Sequence, residues 1–193
     1  MLRHCLLACA IALATIPPCA AGPSTASTVS LHTNIATTDL YGKTCHTLES
    51  RERGAVSTRY CRGANGYALL VHENQGRSSI DIVAPGKEAW QLDFWDVVEP
   101  GVSQVGRKAE WHVVRGTPRA LLVRVDMIDT RNMVYPKTAT SIAVARIDSD
   151  GACVTFKADA GARGAEAAAR RAALDRSRKC LGAYAGAAMP TPM

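Results

Sequence analysis

Val56-Ser57-Thr58-Arg59-Tyr60-Cys61, then Arg62-Gly63-Ala64-Asn65-Gly66, then Tyr67-Ala68-Leu69-Leu70-Val71-His72 is the stretch whose reading decides the fold. Two short runs rich in β-formers flank an Asn-Gly pair, which suits the positive φ angles of a tight hairpin. Hairpin partners are antiparallel, and the same grammar continues outward from this pair. Ser78–Val83 follows the turn Asn74-Gln75-Gly76-Arg77 and alternates Ile80 and Ile82 against Asp81. After Pro85-Gly86, Ala89–Trp95 sets Trp90, Leu92 and Phe94 on one face and Gln91, Asp93 and Trp95 on the other. Ala109–Arg115 turns Trp111 and Val113 inward and Glu110 and His112 outward. Ala120–Ile128 is a longer apolar run broken on one face by Arg124 and Asp126, and Ser141–Ile147 and Ala152–Lys157 are joined by Asp148-Ser149-Asp150-Gly151. The pattern predicts an antiparallel β-meander of about seven to eight strands.

Beyond these strands the period changes. Ala162–Leu181 is Ala-rich, lacks Pro, and carries Glu166 early and Arg176, Arg178 and Lys179 late, the charge order a helix dipole favours. The expected fold class is α+β, with one C-terminal α-helix disulfide-linked through Cys180 to Cys153 on the last strand.

The N-terminus reads as a secretory signal peptide over residues 1–21. Arg3 precedes an apolar run from Cys5 to Ile16, followed by Pro17-Pro18 and the small residues Cys19-Ala20-Ala21. A membrane anchor needs roughly 20 apolar residues, and this run offers about a dozen. Leu6-Leu7-Ala8-Cys9 loosely matches a lipobox, but only a few residues precede its Cys. Residues 22–36, rich in Ser, Thr and Ala, read as a flexible lead-in, 37–181 as a single domain, and 182–193 as a flexible tail. No integral membrane segment is expected after signal removal.

Removing the signal reduces seven cysteines to Cys45, Cys61, Cys153 and Cys180. An even count in an exported chain reads as two disulfides. Three connectivities are open, and sequence proximity favours Cys45–Cys61 with Cys153–Cys180. A zinc site would want CxxC or close Cys/His pairs, and only Cys45-His46 comes near, so no metal and no cofactor are expected. Asp148-Ser149-Asp150-Gly151 resembles the start of a calcium loop, but the twelfth position is Asp159 rather than Glu, which favours a hairpin turn.

The formal charge of +6 falls to +5 without the signal, since only Arg3 leaves and 22 basic face 17 acidic residues. Arg163–Lys179 alone holds six basic against two acidic residues, so the excess sits on the predicted helix. The basic-plus-aromatic pattern of a nucleic-acid face is missing, and no nucleic-acid partner is expected. A solvated helix face is the plain reading, and contact with an anionic envelope surface is the minor one.

No HExxH, GxSxG, P-loop or CxxC occurs in the mature chain. The cluster that could carry chemistry is the outward face of the central strands: Asp93, Trp95, Glu110, His112, Arg124 and Asp126. A carboxylate there could orient His112 as a general base, which makes His112, Glu110 and Asp93 the candidate catalytic residues, with Ser103 and Ser141 as available hydroxyls. The favoured reading of the same face is a solvated or partner-binding surface. Trp95 and Arg124, with Arg170 and Arg171 on the helix, are the binding candidates.

Thr38-Asp39-Leu40, Cys45, Cys61-Arg62-Gly63 with Gly66-Tyr67, Gly106-Arg107-Lys108-Ala109-Glu110-Trp111, Pro118-Arg119-Ala120, Val144-Ala145-Arg146-Ile147, Cys153-Val154 and a terminal Ala-Arg segment ending in Cys180 together resemble a family of small exported proteobacterial proteins. The resemblance covers about Thr37 to Leu181. It implies export and two disulfides, and implies no activity, cofactor or catalytic residue. The favoured expectation is a periplasmic or secreted, non-enzymatic binding protein, inhibitor-like toward an envelope protein or surface. The alternatives are a small periplasmic hydrolase using His112 with a neighbouring carboxylate, and an envelope structural or stress protein whose basic helix faces the membrane.

Overall fold

The computed structural model describes residues 33–182 except 52, 54, 100 and 130–136. The segment expected to be a signal peptide, most of the expected lead-in and the expected tail beyond 182 lie outside the described residues. Asn65 and Gly66 take φ angles of 50° and 83°, as the hairpin requires. The turn sets Arg62 opposite Ala68 and joins β3 (Val56–Arg62) to β4 (Ala68–Asn74). Gln75 and Gly76 repeat the geometry at 49° and 82° and lead into β5 (Arg77–Val83). With β2 (Cys45–Arg51) outside β3 and β6 (Ala89–Gln91) outside β5, these strands form one antiparallel sheet, the β4 sheet, in the order β2-β3-β4-β5-β6.

The remaining strands form a second antiparallel sheet, the β8 sheet, in the order β1-β7-β8-β9-β10. They are β1 (Thr33–Asp39), β7 (Ser103–Val114), β8 (Thr117–Asp129), β9 (Lys137–Ile147) and β10 (Ala152–Asp159). The single meander expected from sequence is therefore corrected to a two-sheet sandwich with ten strands among the described residues. Alternation identifies a buried face but not what buries it. Here the inner face of each sheet covers the other, as Leu69, Val71, Ile80 and Ile82 join Trp111, Leu121, Val123 and Val125 in one core.

Two further departures are local. The strand expected over Ala89–Trp95 stops at Gln91, because Asp93 adopts a left-handed conformation (φ 49°) that starts the one-turn helix α1 (Phe94–Val97). β1 begins at Thr33, inside the segment read as lead-in, and pairs with β7 from Thr33↔Val114 to Asp39↔Lys108.

The expected helix over Ala162–Leu181 is shortened to α2 (Ala165–Leu174). Gly164 (φ 80°) opens it, and Asp175 closes it in an extended conformation, its carboxylate accepting from the Ser177 N–H at 3.0 Å and hydroxyl at 2.6 Å. Ala165, Ala169, Ala172 and Ala173 pack against Ala120, Leu122, Ile142 and Val144 on the outer face of the β8 sheet. A ten-residue helix is marginal alone in water, so this contact is what holds it.

Both expected disulfides are present. Cys45–Cys61 links directly opposed residues of β2 and β3. Cys153–Cys180 ties β10 to the non-helical segment after α2 rather than to the helix itself. Among the described residues no helix is long and apolar enough to cross a membrane.

Candidate functional site

The outward cluster expected from sequence is divided by the fold. Glu110, His112, Arg124 and Asp126 share the outer face of the β8 sheet, in register with Leu122, Ala120, Ile142 and Thr140 respectively. Asp93 caps α1 and Trp95 lies within it, and α1 packs on β5 of the other sheet. There the Arg77 guanidinium lies 5.3 Å from the Trp95 ring centroid. Burial, then the charges of Asp81 and Asp96, hold the Asp93 carboxyl above its ordinary range.

His112 has the carboxylate partner the sequence suggested, with Nε2 2.9 Å from Glu110 Oε1. Its side chain is only 3% exposed, and its Nδ1 is buried without a hydrogen-bond partner. A general base must come within hydrogen-bond reach of a substrate proton, and this burial leaves no approach. The available hydroxyls are committed elsewhere. Ser103 donates to the Glu99 carbonyl at 3.2 Å, and Ser141, paired with core-facing Val125, lies on the opposite face of the sheet from His112 and donates to the Glu99 carboxylate.

What the outer face offers instead is a cleft of about 760 Å³ between α2 and strands β7 and β8. α2 packs on β8, β9 and β10, and the cleft opens along its flank toward β7. Leu122 and Ile142 form an aliphatic floor. Above it, ion pairs run from sheet to helix: Arg124 to Glu166, and Glu110 to Arg170 at 3.4 Å. Arg107 donates twice to Asp39, through Nε at 3.1 Å and Nη2 at 2.8 Å. The Tyr41 backbone N–H and this guanidinium hold the Asp39 carboxyl below its usual range. Lys108 also lines the cleft and makes no ion pair among the described residues.

Of the binding candidates, Arg124 and Arg170 meet at this cleft. Trp95 lies at the other sheet, and Arg171 is exposed on α2. The basic segment is less available than its charge suggests. Arg176 donates to the carbonyls of Arg119 and Ile147 and pairs with Asp148, while Arg178 donates to the Thr155 carbonyl and lies over the Phe156 ring.

A second polar arrangement escaped the sequence reading. On the outer face of the β4 sheet, His72 Nε2 lies 2.8 Å from Asp81 Oδ2, and Nδ1 lies 3.2 Å from Thr58 Oγ1. The signal was present in the two turns. The Asn65-Gly66 turn places Thr58 opposite His72, and the Gln75-Gly76 turn places Asp81 opposite Leu70, diagonal to His72 on the same face. Among the described residues no group of three or more His, Cys, Asp or Glu side chains is placed to hold a metal ion.

No family model matches this chain, and no curated protein or solved structure is similar enough to match it.

Proposed function

We propose that the protein is an exported binding module of the bacterial periplasm, which takes an acidic, partly apolar segment of an envelope partner into the cleft beside α2. The observation that supports this reading is the cleft itself. It has an aliphatic floor, falls within the volume range of ligand sites, and its lining carries Arg107, Lys108, Arg124 and Arg170 against Glu110 and Glu166. Arg124 and Glu166 are each about half exposed, and exposed ion pairs of this kind contribute little to stability. An incoming carboxylate can therefore replace Glu166 at small cost. The two disulfides suit an oxidising compartment.

A blocked peptide of alternating Glu and Leu serves as the probe, followed by fluorescence anisotropy. Saturable binding is expected at low salt and weakens as ionic strength rises through the physiological range. Lys108→Glu, at a position with no ion pair among the described residues, lowers affinity by about fivefold or more, the scale of a rim charge reversal near 1 kcal/mol. Absence of saturable binding, or equal affinity in the variant, overturns the reading.

A further inference from the structure

We propose that Thr58, His72 and Asp81 form a nucleophile, general base and orienting carboxylate that accept and hydrolyse acyl esters on the outer face of the β4 sheet. This site is on the opposite sheet from the cleft and stands independently of it.

The hydrogen-bond chemistry fixes the direction of the relay. Asp81 is buried, and its carboxylate can only accept, so the 2.8 Å contact places the proton of the neutral imidazole on Nε2. Nδ1 is then an acceptor, and its partner at hydrogen-bond distance among the described residues, 3.2 Å, is the Thr58 hydroxyl, which donates to it. A hydroxyl bonded to an imidazole whose other nitrogen is held by a carboxylate is the arrangement by which a weak oxygen nucleophile is activated. Unlike His112, His72 is reachable, with its side chain 30% exposed. Among the described residues, α2 packs on the other sheet and α1 meets this one at β5.

The backbone beside Thr58 is also irregular. The β2–β3 register shifts between Thr47 and Glu49, and Glu49 stands opposite Thr58. A bulge leaves one residue, here Leu48, outside the ladder, and such interruptions recur beside reactive side chains.

In the first step Thr58 Oγ attacks the ester carbonyl, its proton passes to His72 Nδ1, and the same proton leaves on the departing alkoxide as the alcohol. Thr58 is left as an ester of the acyl group. In the second step water attacks that ester, His72 Nδ1 takes the water proton and returns it to Thr58 Oγ, and the carboxylic acid is released. Asp81 takes up no proton in either step and acts as a positioning residue.

The test uses the secreted full chain with p-nitrophenyl acetate, reading p-nitrophenolate release and the acetylated residue by peptide mass mapping. Acetylation at Thr58 is expected in the parent and in Thr58→Ser, and is absent in Thr58→Val, an isosteric change that keeps the strand. His72→Gln lowers the rate by about a hundredfold or more, the scale of a lost general base. Asp81→Asn lowers the rate and displaces the pH profile while leaving Thr58 as the labelled residue. Circular dichroism and melting temperature confirm that each variant is folded. Label spread over lysines, or an unchanged rate in Thr58→Val, overturns the proposal and leaves the cleft reading untouched.

Discussion

Trp111 shows at the residue scale how the two sheets are held in one geometry. It is fully buried on β7, and its Nε1 donates at 2.9 Å to Thr38 Oγ1 on β1, which in turn donates at 3.3 Å to the Arg62 carbonyl at the end of β3. One indole thus satisfies its only donor while linking both layers. Its ring fits because Gly63 has no side chain: a Cβ there would lie 2.4 Å from Trp111 Cζ2. Asp93 is the opposite case, a residue that costs stability. A carboxyl held above its ordinary range by burial, Asp81 and Asp96 binds its proton more tightly in the folded chain than in the unfolded one. Its penalty is absent below the unfolded pKa, grows as pH rises toward the folded value, and is constant above that. Asp93→Asn removes the charge and keeps a residue that tolerates φ 49°. At pH 7 it is expected to melt about 1–2 °C above the parent, a gain limited by solvent screening. The gain disappears near pH 3, and a thermal melt series over pH shows whether it does.

At the element scale, the segment after α2 acts as a latch. Arg146 Nε pairs with Asp148 at 2.8 Å, Arg176 pairs with the same carboxylate, and Arg146 Nη1 donates to the Arg178 carbonyl at 2.6 Å. Leu181 N–H donates to the Val154 carbonyl at 2.7 Å, next to the Cys153–Cys180 bond. The Asp148–Gly151 turn, which the sequence compared with a calcium loop, thus anchors arginines while its backbone closes the hairpin between β9 and β10. Replacing Cys153 and Cys180 by Ser frees this segment, and α2 with it, because the short helix depends on its docking. The expected cost is about 3–4 kcal/mol in the chain-entropy model. Hydrogen exchange is expected to speed up more in α2 and β10 than in β3–β5, where the change is bounded by the loss of global stability, and equal acceleration across both sheets contradicts a local latch.

The elements legible in sequence are those whose turn chemistry and alternation agree. β3, β4 and β5 have Asn65-Gly66 and Gln75-Gly76 between them, and Arg115 and Gly116 take the same positive φ pair, 50° and 79°, between β7 and β8. β2 escaped because it is an edge strand whose side chains are almost all exposed, so no alternation marks it. The C-terminal helix was overextended because Ala and Arg propensities continue past Leu174, whereas Asp175 and Ser177 form a local turn that competes with it.

On the scale of the whole molecule, the protein has three layers: α2, the β8 sheet and the β4 sheet. β8 is apolar on both faces, Leu121, Val123 and Val125 facing one core and Ala120 and Leu122 the other, because it is covered on both sides. A sequence read for one buried face cannot count layers, and for that reason one meander was expected where two sheets formed. The same limit moved the candidate site. Glu110 and His112 do point outward from the sandwich, but that face carries α2; His112 is buried there and Glu110 lies beside the cleft. Recognition at that cleft is the central claim. The most direct measurement is hydrogen exchange of the protein with and without the Glu-Leu peptide. Slowed exchange in 106–110 of β7 and 166–170 of α2, with β3–β5 unchanged, is the predicted result. Protection appearing on β3–β5 instead, or nowhere, contradicts it.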